Sequence, residues 1–108
     1  MVARVTTVQV SPEDVEDAVR LFDESVVPAA REEAGFMGTL LLVREDGHAF
    51  AIDLCDTREN MRANEANGFY QAQVAKFADK ITGRPTRQIF DVAVAKGVTG
   101  GPELLERG

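Results

Sequence analysis

The chain has 108 residues, 44% of them apolar, and its 18 acidic side chains outnumber 12 basic ones to leave a formal net charge of -6. That length holds one modest hydrophobic core and no second, and the negative charge opposes binding to DNA or RNA. The lone cysteine, Cys55, leaves no internal disulfide. With no leader pattern at the start and no apolar run of about 20 residues, a soluble, cytoplasmic protein without membrane contact is expected.

Residues Val2 to Val10 place Val2, Arg4, Thr6 and Val8 on one face and Ala3, Val5, Thr7 and Gln9 on the other. Such a β-branched alternation predicts a first strand. Ser11, Pro12 and Asp14 follow as helix cap, first helical residue and a carboxylate near the positive helix end. Val15, Ala18, Val19, Phe22, Val26, Ala29 and Ala30 then recur at three- and four-residue spacing, which predicts one apolar helix face. Pro28 predicts a kink near the last turns, and Gly35 a left-handed stop.

Phe36 to Val43 is apolar on both faces, as suits a strand buried on both sides. A polar turn at Glu45, Asp46 and Gly47 leads back through a third strand, His48 to Cys55. Asp56 with Glu59 three residues on predicts a capping box for a second helix running to about Ile81. Its inner face is predicted at Ala63, Ala66, Tyr70, Val74, Phe77 and Ile81, with Gly83 as its end and a fourth strand over Thr86 to Ala95.

The order β, α, β, β, α, β predicts an α+β, ferredoxin-like domain over residues 1–96, with a four-stranded antiparallel sheet and two helices on one face. A flexible tail is predicted for 97–108. Two helices cover one side of that sheet, and the other side, also apolar, calls for a second copy of the chain. At roughly 25 cal/mol per Å² of apolar surface, a few hundred Å² is enough to make the pairing obligatory. The expected assembly is a homodimer, a dimeric α+β barrel.

Over residues 2 to about 95 the chain resembles the antibiotic biosynthesis monooxygenase family of the dimeric α+β barrel superfamily. The stretches that carry the likeness are Ala3-Arg4-Val5-Thr6-Thr7, Val27-Pro28-Ala29-Ala30-Arg31, Ala34-Gly35-Phe36-Met37-Gly38 and Asp53 to Met61. The resemblance implies a monooxygenase that acts without flavin or metal on a small aromatic or quinol substrate, in a pocket between the second helix and the sheet. No cofactor and no metal ligand set are expected. A haem-binding role, known in the same superfamily with a histidine on the second helix, meets a second helix that has none.

In such an oxygenase a deprotonated phenol itself reduces O₂, and the protein supplies a dry pocket, a proton acceptor and donors for the developing oxyanion. Asn67 and Tyr70 fall within the apolar arc of the second helix and Asn60, Asn64 and Gln71 at its edge. Tyr70 and Asn67 are therefore candidate catalytic groups, and Asn60, Asn64, Phe22 and Phe77 candidate substrate-binding groups. The competing reading is a helix rim whose amides bond to backbone or water. His48, the one histidine, is either a surface turn residue or a base. Asp53 and Asp91 lie inside strands, where a carboxylate needs a partner such as Arg4, Arg84 or Arg87. Facing a cavity instead, Asp53 becomes the candidate general base. Cys55 reads as a small buried hydrophobe, Phe69 as either exposed or a pocket mouth, and the acidic runs on the first helix as solvated surface. A different class of function also fits, namely a non-catalytic dimeric module that binds a small apolar ligand or serves a stress response.

Overall fold

A computed structural model describes residues 1–97, and the rest of the predicted tail lies outside the described residues. Four strands form one antiparallel sheet in the order β2-β3-β1-β4: β1 Val2–Val10, β2 Phe36–Val43, β3 His48–Cys55 and β4 Ile81–Asp91. The α+β, ferredoxin-like expectation holds, with the helices packed on one face. β1 lies at the centre because its β-branched residues pair on both sides, Val5 with Ile52 of β3 and with Gln88 of β4.

The first helical run starts where Ser11 and Pro12 predict. It comprises a 3-10 turn at Pro12–Asp14, α1 at Val15–Leu21, a π-helical turn at Phe22–Val26 and α2 at Val27–Arg31. In the widened turn the Val27 N–H reaches back five residues to the Phe22 carbonyl. Pro28 has no N–H to donate and its ring crowds the carbonyl four residues earlier, so one extra residue in the turn before it relieves the clash. Near Pro28, where a kink is predicted, the structure has this widened turn. Gly35 ends the run at φ +82, and any Cβ there would collide with Asp56 and Cys55.

The second helical run departs from the prediction. Its cap is Thr57, whose hydroxyl accepts from the Asn60 N–H at 3.1 Å, and not Asp56, which accepts from the Asn60 side chain at 2.9 Å. The run also divides in two, α3 at Arg58–Ala66 and α4 at Phe69–Ala75. Gly68 sits between them at φ +86, and the Asn67 side chain accepts the Phe69 N–H at 2.9 Å. One helical phase therefore cannot serve both halves. The first half buries Met61 and Asn64, while Ala63 and Ala66, predicted inside, are exposed.

Tight turns carry the chain from Lys76 to Lys80, and β4 starts at Ile81, five residues before the predicted start. Ile81 and Thr82 pair with Val10 and Gln9, and a register shift opposite Val8 takes up Gly83, Arg84 and Pro85. Gly83 is thus an irregularity within a strand and not a helix end.

Two small apolar clusters anchor the ends of β1. Val2 packs with Cys55 and Met61, and Val10 packs with Ala18 and Ala49. Between them the helix-facing side chains of β1 are Arg4, Thr6 and Val8, and the core gives way to a cavity. The opposite sheet face carries Val5, Leu40, Leu42, Phe50, Ile52 and Phe90 with no helix over it. Leu42 and Phe90 are each 48% exposed there.

Candidate functional site

The cavity lies between the sheet and both helical runs and holds about 820 Å³ of empty space, counted out to its open mouth. Val8 and Val10 of β1, Leu41 of β2 and Ala49 and Ala51 of β3 form its sheet wall. Phe22 and Val26 close it from the first helical run, and Tyr70, Val74 and Phe77 from α4 and the turn after it. Val19 and the half-buried Phe69 are also part of its lining.

Polar groups gather at one end. Arg4 is 2% exposed, and its side chain runs under the Tyr70 ring with the guanidinium carbon 4.0 Å from the ring centre. Its Nε and one terminal nitrogen donate to the same Asp53 oxygen at 3.2 and 2.8 Å. The other terminal nitrogen donates to Asn64 at 2.8 Å and to Glu65 at 3.2 Å. Thr39 donates to the remaining Asp53 oxygen at 3.0 Å, and Arg87 holds Glu65 at 2.7 Å. Every buried side-chain polar atom among the described residues has a partner. Beside this network, Thr6 Oγ1 and the Tyr70 hydroxyl share a hydrogen bond of 2.8 Å.

A second cleft of about 300 Å³ lies beyond the ion pair and shares Arg4, Ala30, Asp53 and Phe69 with the first. Among the described residues no group of three or more His, Cys, Asp or Glu side chains is placed to hold a metal ion, and no helix is long and apolar enough to cross a membrane.

No protein-family model and no curated protein sequence matches the chain. Solved structures do. A monooxygenase of Streptomyces coelicolor in complex with nanaomycin D superposes with a TM-score of 0.69 at 20% identity, over 88% of this chain and 89% of that one. An antibiotic biosynthesis monooxygenase superposes at 0.68 with 19% identity, over 87% of this chain and 100% of the other. An MhuD variant with two manganese protoporphyrin IX molecules per active site gives 0.69 at 23% identity, over 91% and 100%. The chain has the fold of the antibiotic biosynthesis monooxygenases. At these identities the likeness is one of fold.

Within this antibiotic biosynthesis monooxygenase fold the predicted site residues divide. Tyr70, Asp53, Phe22 and Phe77 all line the cavity, and Phe69 lines both it and the second cleft. Asn64 reaches the site through Arg4 and lines the second cleft. Asn67 is exposed at the break between α3 and α4, where it caps the Phe69 N–H, because α3 ends at Ala66, the residue before it. Asn60 is engaged with Asp56 at the start of α3 and is not on the cavity wall. His48 packs edge-to-face on Phe50 at 5.0 Å, on the sheet face turned away from the cavity, since Ala49, Ala51 and Asp53 take the inward positions of β3. Asp53 finds Arg4 as expected, whereas Asp91 pairs with Arg58 and Arg87 with Glu65.

Thr6 and Gln73 were not anticipated as wall residues, nor was Arg4 as more than a partner for Asp53. The signal for Arg4 and Thr6 was present in the alternation of β1, which puts both on the face shared with Val2 and Val8.

Proposed function

We propose that the chain is a cofactor-independent, monooxygenase-like protein that takes a small aromatic or quinol substrate into the cavity between α4 and the sheet. The observation that carries this reading is the polar end of an otherwise apolar pocket, where the Thr6–Tyr70 hydroxyl pair adjoins the Arg4–Asp53 ion pair. A monooxygenase complex with nanaomycin D on the same fold supports it.

The substrate hydroxyl, or the enol of an anthrone, docks on the Thr6–Tyr70 pair. Asp53, the carboxylate on the cavity wall among the described residues, takes its proton. Neutralising Asp53 leaves the Arg4 charge uncompensated on that side, beside the new oxyanion, so the pocket's total charge is unchanged by the transfer. The substrate anion then gives one electron to O₂. After the two radicals recombine at carbon, the O–O bond breaks, one oxygen stays as the new carbonyl and the other leaves as water with the two methylene hydrogens, CH₂ + O₂ giving C=O + H₂O.

Two further parts belong to the same proposal. A second copy of the chain covers the bare sheet face with Leu40, Leu42, Phe50, Ile52 and Phe90, as a homodimer. The protein works in the cytoplasm.

Oxygen uptake by the purified, metal-free protein with a panel of hydroxylated naphthalenes and anthrones tests the reading. Turnover of at least one of them, lowered roughly 100- to 1,000-fold by Tyr70→Phe, is the expected result. Binding without oxygen uptake from any of them refutes the enzyme and leaves the non-catalytic ligand-binding module. That module has its own support, since both Asp53 oxygens already accept hydrogen bonds.

A further inference from the structure

We infer that the cavity selects uncharged ligands carrying a hydroxyl or carbonyl at one end and rejects their carboxylated analogues. This rests on the ligand-binding reading above and adds the charge class of what binds. The cation on the cavity wall is Arg4, and its charge is already matched. Of its five N–H donors, four point to protein acceptors: two to Asp53, one to Asn64 and one to Glu65. One face of the guanidinium is covered by the Tyr70 ring.

Counted outward, Arg4 and Arg87 balance Asp53 and Glu65, so the network is neutral. An anionic group entering the cavity would lose its water and, among the described residues of the lining, meet no free cation and one carboxylate, Asp53. The net charge of -6 opposes its approach as well.

A neutral oxygen fares differently. In the Thr6–Tyr70 pair one hydroxyl hydrogen lies between the two oxygens, and the other is left to donate. The same oxygens keep lone pairs that can accept. The pair thus serves a carbonyl or a hydroxyl equally, and together with the Gln73 amide it supplies the neutral polar groups of a largely apolar wall.

The test compares 2-naphthol with 6-hydroxy-2-naphthoate by isothermal titration of the full chain at neutral pH, where the first is uncharged and the second an anion. Naphthol is expected to bind at least about tenfold more tightly. Equal or tighter binding of the naphthoate overturns the inference and leaves the ligand cavity standing, whereas binding of neither overturns both.

Asp53→Asn keeps the shape of the side chain and unmasks the Arg4 charge, so naphthoate affinity should rise by at least about tenfold relative to that for naphthol. Glu65→Gln makes the same change in net charge from outside the cavity wall and is read in the same way should Asp53→Asn not fold. A folded variant that leaves the preference unmoved overturns the inference.

Discussion

Removing Arg4 should damage the fold far more than its size suggests, and the damage should be curable by removing its partner too. In Arg4→Met, Glu65 keeps Arg87 at 2.7 Å, but Asp53 is left with the Thr39 hydroxyl alone. Stranding a buried charge in this way typically costs about 3–5 kcal/mol. The Asp53 side chain is 25% exposed and so retains some water, which places the expected loss near the lower end, about 3 kcal/mol. Against a total stability of roughly 5–15 kcal/mol for a domain of this kind, that is a large fraction. Adding Asp53→Leu removes the stranded charge, and the double variant should regain most of the loss, with a coupling energy of about 1–3 kcal/mol. Urea titrations at one fixed protein concentration measure it, the midpoint moving while the slope stays constant. A loss below about 1 kcal/mol for Arg4→Met, or a double variant equal to the sum of the singles, refutes the reasoning.

Tyr70→Phe removes the hydroxyl bonded to Thr6 and should cost about 1 kcal/mol in the same titration, well short of its effect on turnover. Leu42→Lys places a charge on the bare sheet face at a site already 48% exposed in the single chain, so it should leave the fold intact and convert the proposed dimer to monomer in sedimentation velocity. Gly35→Ala combines the left-handed strain with a collision against Asp56 and Cys55, and should destabilise the fold in the same urea titration by more than the roughly 1 kcal/mol expected of strain alone. The Asp56 carboxyl is held below its ordinary range by the Asn60 side chain, with help from the Thr57 N–H and against desolvation. A group lowered in this way stabilises the fold above about pH 4 and stops doing so as acid protonates it, so the deficit of Asp56→Ala at neutral pH should narrow in acid unfolding curves.

The strands were legible where side-chain alternation and β-branching agreed, as at Val2–Val10 and His48–Cys55, since each residue's face follows from its parity alone. The same parity places Asp53 inward and His48 outward, but parity does not say which face the helices cover. The second helical run was less legible. Its apolar spacing continues smoothly across Gly68, and what breaks it is a left-handed residue and an Asn67 cap, local chemistry that a periodicity count averages away. β4 begins early because Val10 and Gln9 have open hydrogen-bonding edges for Ile81 and Thr82, a pairing that comes from the other end of the chain and overrides the turn signal of Gly83 and Pro85. Of the site, Tyr70, Phe22 and Phe77 followed from helix phase, whereas the Arg4 network needed all four strands and α3 to be assembled before its members could meet.

The division at Gly68 separates two duties that a single helix would have joined. α3 is riveted to the sheet through Asn64 and Glu65 on Arg4, while α4 brings Tyr70, Gln73 and Val74 to the cavity. Substitutions that retailor the pocket for a bulkier or slimmer guest can therefore accumulate along Phe69–Ala75, Tyr70 on the Arg4 guanidinium excepted, without disturbing the salt-linked scaffold. One architecture can diversify its chemistry by editing two turns of helix.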